Sequence, residues 1–147
     1  AFASLSGAGQ VLMIGAPESR LHLGRTLGVD EAFDLQATTE EERRERILDR
    51  TGGRGPDVII EAAGHASAIA GEVPLNPHVD LNRKHARVLG QWGTDFHHLA
   101  RALTLLARHS EKLPMDRIVG RSYGLEAADE ALADVEALRV TKALIRP

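Results

Sequence analysis

The stretch VLMIGAPESRLHLGRTLGVDEAFDL, residues 11–35, decides how this chain is read. Val11-Leu12-Met13-Ile14 is a continuous apolar run between Gly9 and Gly15. A run with no polar alternation fits a strand covered on both faces, as parallel sheets require. Pro17 falls where a helix begins, and its missing N–H costs nothing in a first turn. Leu21, Leu23 and Leu27, with the small Gly24, form an apolar stripe at helical spacing, and Gly28 follows as a C-terminal cap. Ala32-Phe33-Asp34-Leu35 reads as a second short strand. Strand, helix and strand of these lengths make a β-α-β unit with a parallel strand pair.

Outward from that stretch the alternation continues. Thr38 or Thr39 precedes EEERRERILDR, which places a Thr N-cap and acids at the start and arginine at the end of a helix. The charges over 40–46 sit at i,i+3 and i,i+4 spacing and predict a solvated face, with Ile47 and Leu48 inward. Gly52-Gly53-Arg54-Gly55-Pro56 stops that helix. Asp57 to Glu61 (DVIIE) reads as a third buried strand running into Ala62-Ala63-Gly64. Ser67 to Ala70 begins a helix cut short by Gly71, Pro74 and Pro77, and Arg87-Val88-Leu89-Gly90 reads as a fourth strand. A helix over Phe96 to His109 carries Leu99, Ala102, Leu103 and Leu106 on one face. Another over Leu125 to Leu138 carries Ala128, Ala131, Leu132 and Val135. Ala143-Leu144-Ile145 closes the pattern as a last strand. The whole predicts an α/β class with a doubly wound parallel sheet.

Composition narrows the chemistry. The 147 residues carry Lys+Arg 18 against Asp+Glu 21, a net charge of -3, with 43% hydrophobic and 27% charged residues. Scattered mild acidity argues against nucleic-acid binding. The absence of cysteine excludes a disulfide scaffold, a thiolate zinc site and a thiol nucleophile within these residues. Apolar runs such as 11–14 and 58–60 are far below the roughly 20 residues that span a bilayer. Residues 1–10 lack the basic start and apolar centre of a signal peptide. A cytoplasmic protein is expected, without nucleic-acid or membrane partners. Aromatics are only 3%, so the core must be built mainly from Ala, Leu, Ile and Val.

Three segments and the closing strand go beyond fold class: IGAPESRL at 14–21, TGGRGPDVIIEAAGH at 51–65, GQWGTDFHHLARAL at 90–103, and KALIRP at 142–147. In this order and spacing they resemble the cofactor-binding domain of the medium-chain dehydrogenase/reductase superfamily, the zinc-type alcohol dehydrogenases. The resemblance implies a Rossmann-like doubly wound parallel sheet that is incomplete here. In the family a strand, a G-x-G-x-x-G turn and a helix precede the strand at 11–14. This sequence holds no G-x-G-x-x-G, and AFASLSGAGQ resembles only the end of that helix. A helix, a Gly-Gly turn and a strand are also lacking between Ala70 and Gly71. The expectation is that residues 1–147 form a partial dinucleotide-binding domain, with the catalytic zinc domain outside this sequence.

The resemblance further implies hydride transfer between an alcohol and NAD(P), with zinc acting only in that other domain. A small alcohol or carbonyl substrate and a homo-oligomer follow from it. No catalytic residue and no metal ligand is assigned to these residues. The alternative is a non-catalytic Rossmann-like remnant or interaction module that no longer binds dinucleotide.

A dinucleotide needs N–H groups at a helix N-terminus for its pyrophosphate and an acceptor at the end of the second strand for the adenosine ribose. Where the family often has an acid, this chain has Gly15; Glu18 from the next turn is a substitute, and Arg20 matches the family's basic position beside the ribose. Glu18 would repel a 2′-phosphate, so NAD is favoured, while a glycine with arginine nearby also admits NADP. The plainer reading makes Gly15 turn chemistry and Arg20 a solvated helix residue. Ala63 and Gly64 end a strand at the edge where open α/β sheets bind ligands, or simply pack a tight turn. Gln91 and Trp92 match positions beside the nicotinamide, and Lys142 one near the pyrophosphate, or else a solvated lysine. Seven histidines invite a metal reading. His97 and His98, being adjacent, diverge by about 100° on a helix, and His78 and His85 have no third ligand nearby.

Overall fold

The computed structural model describes residues 1–63, 74–90, 93–112 and 114–147. The chain divides into two compact units, one of residues 1–58 with 103–147 and one of residues 59–102.

In the first unit, β1 (Leu12–Gly15) and β2 (Glu31–Asp34) pair in parallel with α2 (Glu18–Thr26) as the crossover, after a single-turn α1 (Phe2–Leu5). The register is Leu12↔Glu31, Met13↔Ala32, Ile14↔Phe33 and Gly15↔Asp34. It is locked at both ends: Asp30 N–H donates to Val11 O at 2.9 Å and Leu35 N–H to Gly15 O at 2.9 Å. The Asp30 carboxylate also accepts from Val11 N–H at 2.7 Å, so one turn residue ties the start of both strands. Leu21 of α2 and Phe33 of β2 are fully buried, the former 0% and the latter 1% exposed. Pro17 is the N-cap of α2 and lies one residue outside it, in extended backbone. Gly28 ends the helix at φ +93, a left-handed conformation that costs other L residues about 1–2 kcal/mol.

Helix α3 (Glu40–Arg50) starts with a capping box: Thr39 Oγ1 accepts from Glu42 N–H while the Glu42 carboxylate accepts from Thr39 N–H at 2.7 Å. Each partner satisfies a donor that the first turn leaves open. The charge run is only partly a solvated face. Arg46 and Arg50 both reach Glu31 of β2 at 2.7 Å. The Arg46 guanidinium also lies 4.9 Å from the centroid of the Phe33 ring, a cation–π placement that covers the core aromatic.

The same unit holds a second parallel pair, β3 (Arg121–Gly124) with β4 (Ala143–Arg146), crossed over by α5 (Ala128–Glu136) behind a short 3-10 turn at Leu125–Ala127. Tyr123 and Ala131 are buried there. β3 went unread in the sequence because RSYG is four residues long with one apolar position, too short for a period to show. Helix α4 (Phe96–Arg108) opens with the Asp95 carboxylate accepting from His98 N–H at 2.9 Å. In the second unit Pro77–Asn82 forms a π-helical turn capped by the Asn76 side chain.

Two expected strands do not form. Residues 57–61 and 87–90 have no regular structure, and Ile59 is 81% and Leu89 89% exposed. The strand order of a Rossmann sheet explains both. In the order 3-2-1-4-5-6 the first strand lies between the second and the fourth. Among the described residues β1 and β2 pair only with each other, so no strand fills the place beside either of them. Without that neighbour a β-prone run has no ladder to complete, and its apolar side chains stay in water. The sheet is therefore present as two separate parallel pairs among the described residues. Leu99, Leu103 and Leu132 are also exposed, although their spacing predicts an inward face; on α5 Ala131 of that face is buried, together with Asp134. The helix expected from Ser67 to Ala70 lies outside the described residues.

Candidate cofactor-binding site

The carboxyl edge of β1 and β2 is where a parallel sheet receives a ligand. Gly15 ends β1 there, and α2 begins three residues later. Its φ is not left-handed, and a Cβ added to it would stand 3.4 Å from Leu21 Cδ2 and 3.7 Å from Met13 Cε, in ordinary contact. Neither the backbone dihedral nor a clash therefore demands glycine, and a Cβ here would face Leu21 and Met13 on the side of the sheet that α2 covers.

Glu18, the first residue of α2, is bound to its own helix: the Arg25 guanidinium donates to it at 2.6 Å. Arg20 is half-buried two residues further on. Among the described residues its guanidinium has no ion-pair or hydrogen-bond partner. The fold thus brings Gly15, Glu18 and Arg20 to one strand–helix junction. It also brings Asp34 there, which the sequence alone did not single out. Asp34 ends β2 in register with Gly15, and its Oδ1 accepts from Gln36 N–H at 2.8 Å. Only the strand pairing could have revealed it, since nothing in AFDL distinguishes this acid from a turn residue.

The other expected residues stand elsewhere. Ala63 is exposed in the second unit and its N–H donates to the Glu61 carboxylate at 2.7 Å. Lys142 is exposed just before β4, and its carbonyl accepts from Gly120 N–H at 2.9 Å. Gly64, Gln91 and Trp92 lie outside the described residues. Among the described residues no three His, Asp or Glu side chains are grouped to hold a metal ion. His98 Nδ1 lies 3.2 Å from the Asp95 carboxylate, and His97 and His98 meet edge to face, their ring centroids 6.2 Å apart.

Residues 1–75 match the family model of the zinc-binding dehydrogenases. The chain belongs to that family. It is 29% identical to 5-exo-hydroxycamphor dehydrogenase of Pseudomonas putida over 166 aligned positions, which take in 99% of this chain and 45% of that protein. The aligned positions outnumber the residues of this chain, so the relative carries internal residues with no counterpart here. L-threonine 3-dehydrogenase of Bacillus licheniformis is 36% identical over 69 residues, 47% of this chain and 19% of that one. The structure resembles that of an alcohol dehydrogenase from Thermotoga maritima with TM-score 0.85 and 27% identity, over 99% of this chain and 45% of the other. The chain of this zinc-binding dehydrogenase family member thus spans less than half the length of these relatives. Among the described residues no helix is long and apolar enough to cross a membrane.

Proposed function

We propose that the chain is the nucleotide-binding part of an alcohol dehydrogenase-like oxidoreductase, and that residues 1–147 form a partial dinucleotide-binding domain. The observation that carries this is the β1–α2 junction. It sits at the carboxyl edge of parallel strands, with no side chain at Gly15 and, at Arg20, a cation without a partner among the described residues.

In this reading the β1–β2 edge holds the adenosine ribose of NAD(P), Gly15 admits it, and Arg20 and Glu18 flank it. Ala63, Gly64, Gln91, Trp92 and Lys142 are assigned to the rest of the cofactor by their resemblance to family positions. The residues present fit the adenosine end. They do not supply the Gly-rich turn that would cradle the pyrophosphate. When bound, the nicotinamide accepts or delivers the hydride exchanged with an alcohol carbon. By the family resemblance, the zinc named in the family is assigned to a domain outside these residues.

Titration of NADH fluorescence tests the proposal. Saturable enhancement by the 147-residue polypeptide supports it, while turnover of an alcohol by this polypeptide alone would contradict the division of labour. The rival reading is a remnant or interaction module that binds no dinucleotide. Its support is the exposure of Val58, Ile59, Ile60, Val88 and Leu89, and it requires NADH fluorescence to stay unchanged.

A further inference from the structure

We propose that Asp34 takes over the ribose-recognising carboxylate that Gly15 lacks, so that the site selects a dinucleotide with a free 2′-hydroxyl over its 2′-phosphorylated form. The inference rests on the cofactor-binding reading above and assigns the selectivity of that same site.

A ribose diol at a strand end needs an anionic or polar acceptor, and Gly15 has no side chain. Its register partner is Asp34. Neighbouring strands run about 4.8 Å apart, and paired residues of a parallel ladder point to the same face. The Asp34 side chain therefore leaves the sheet next to Gly15 and on the same face. The Leu35 N–H to Gly15 O bond at 2.9 Å holds the pair in register. Oδ1 is held by Gln36 N–H at 2.8 Å, and Oδ2 has no partner among the described residues. One oxygen orients the carboxylate and the other is free to accept from a hydroxyl. The rival acid, Glu18, is engaged by Arg25 at 2.6 Å. A phosphate on the 2′-oxygen would bring a second anion against Asp34, and like charges at such range disfavour each other. Arg20, without a partner among the described residues, pulls the other way, which makes the outcome measurable.

The experiment is calorimetric titration of the 147-residue chain with two probes, adenosine 5′-monophosphate and adenosine 2′,5′-bisphosphate. The expected result is tighter binding of the monophosphate, by about tenfold, the size of one hydrogen bond to a charged group. Asp34→Asn keeps an oxygen for Gln36 N–H and removes the charge. It is expected to weaken the monophosphate by a similar factor and to erase the preference, with circular dichroism unchanged. Tighter binding of the bisphosphate by the unaltered chain overturns the proposal, whatever the variant does. So does a preference that survives Asp34→Asn. If neither probe binds and NADH fluorescence is also unchanged, the cofactor-binding reading itself falls. Binding of both with equal affinity leaves that reading standing and overturns only the role of Asp34.

Discussion

The Tyr123 hydroxyl donates to Asp134 Oδ2 at 2.6 Å, both residues being buried between β3 and α5. Asp134 Oδ1 is taken by Arg139 Nε at 2.6 Å. The Arg121 guanidinium covers the Tyr123 ring at 4.7 Å and reaches Glu130 at 2.9 Å. A buried acid is tolerated because each oxygen has a donor. Tyr123→Phe removes the hydroxyl from Oδ2 and leaves it only the longer Arg121 contact at 3.6 Å, and thermal unfolding should occur at lower temperature than in the unaltered chain. An unchanged midpoint would show that water replaces the hydroxyl without loss.

The same pair sets a pH dependence. The hydrogen bond from Tyr123, then that from Arg139, holds the Asp134 carboxyl below its ordinary range. Glu42 is held low by the Thr39 N–H and hydroxyl of the capping box. Groups whose folded pKa is depressed add stability that is present above the unfolded carboxylate range and lost as pH falls through the folded values. Tyr123 is shifted the other way, first by its bond to Asp134 and then by burial. Its contribution is complete below the ordinary tyrosine value near ~10 and is lost as pH rises through the higher folded value. Urea midpoints should hold between those limits and drop on both sides. Asp134→Asn should flatten the acid limb.

Thr39 caps α3 with its side chain and so satisfies Glu42 N–H. Thr39→Ala should cost about 1 kcal/mol in urea unfolding. A loss below a few tenths would mean that α3 frays without consequence for β2, despite the Glu31 ion pairs of Arg46 and Arg50.

Leu21 is 0% exposed under β1 and β2. Leu21→Ala should destabilise by about 2–5 kcal/mol, through lost transfer energy and the cavity left behind. A chemical-denaturation midpoint close to that of the unaltered chain would contradict the burial.

Ile59 and Leu89 give the opposite expectation. Each belongs to a run with strand composition, yet both lie in water. In this polypeptide Ile59→Lys and Leu89→Lys should change stability by no more than about 0.5 kcal/mol, and solubility should rise. A loss of several kcal/mol in either variant would show that the two runs pair as strands after all.

The amino-acid sequence by itself determined those elements whose conformation is fixed within a few residues. The apolar run ending at Ile14, the Thr-Glu spacing at 39–42, and Gly28 at the end of α2 each encode their conformation within a few residues, through capping, dihedral freedom and periodicity. Family membership was legible for the same reason, since IGAPESRL and its companions are contiguous motifs. Tertiary structure alone decided what pairs with what. The register that sets Asp34 beside Gly15, the use of Glu18 by Arg25, and the Tyr123–Asp134 bond join residues whose types and spacing imply no contact. It decided the exposure of 58–60 as well. An apolar run carries the propensity for a strand, but a strand is made of hydrogen bonds to a neighbour, and that neighbour is encoded in a different part of the fold.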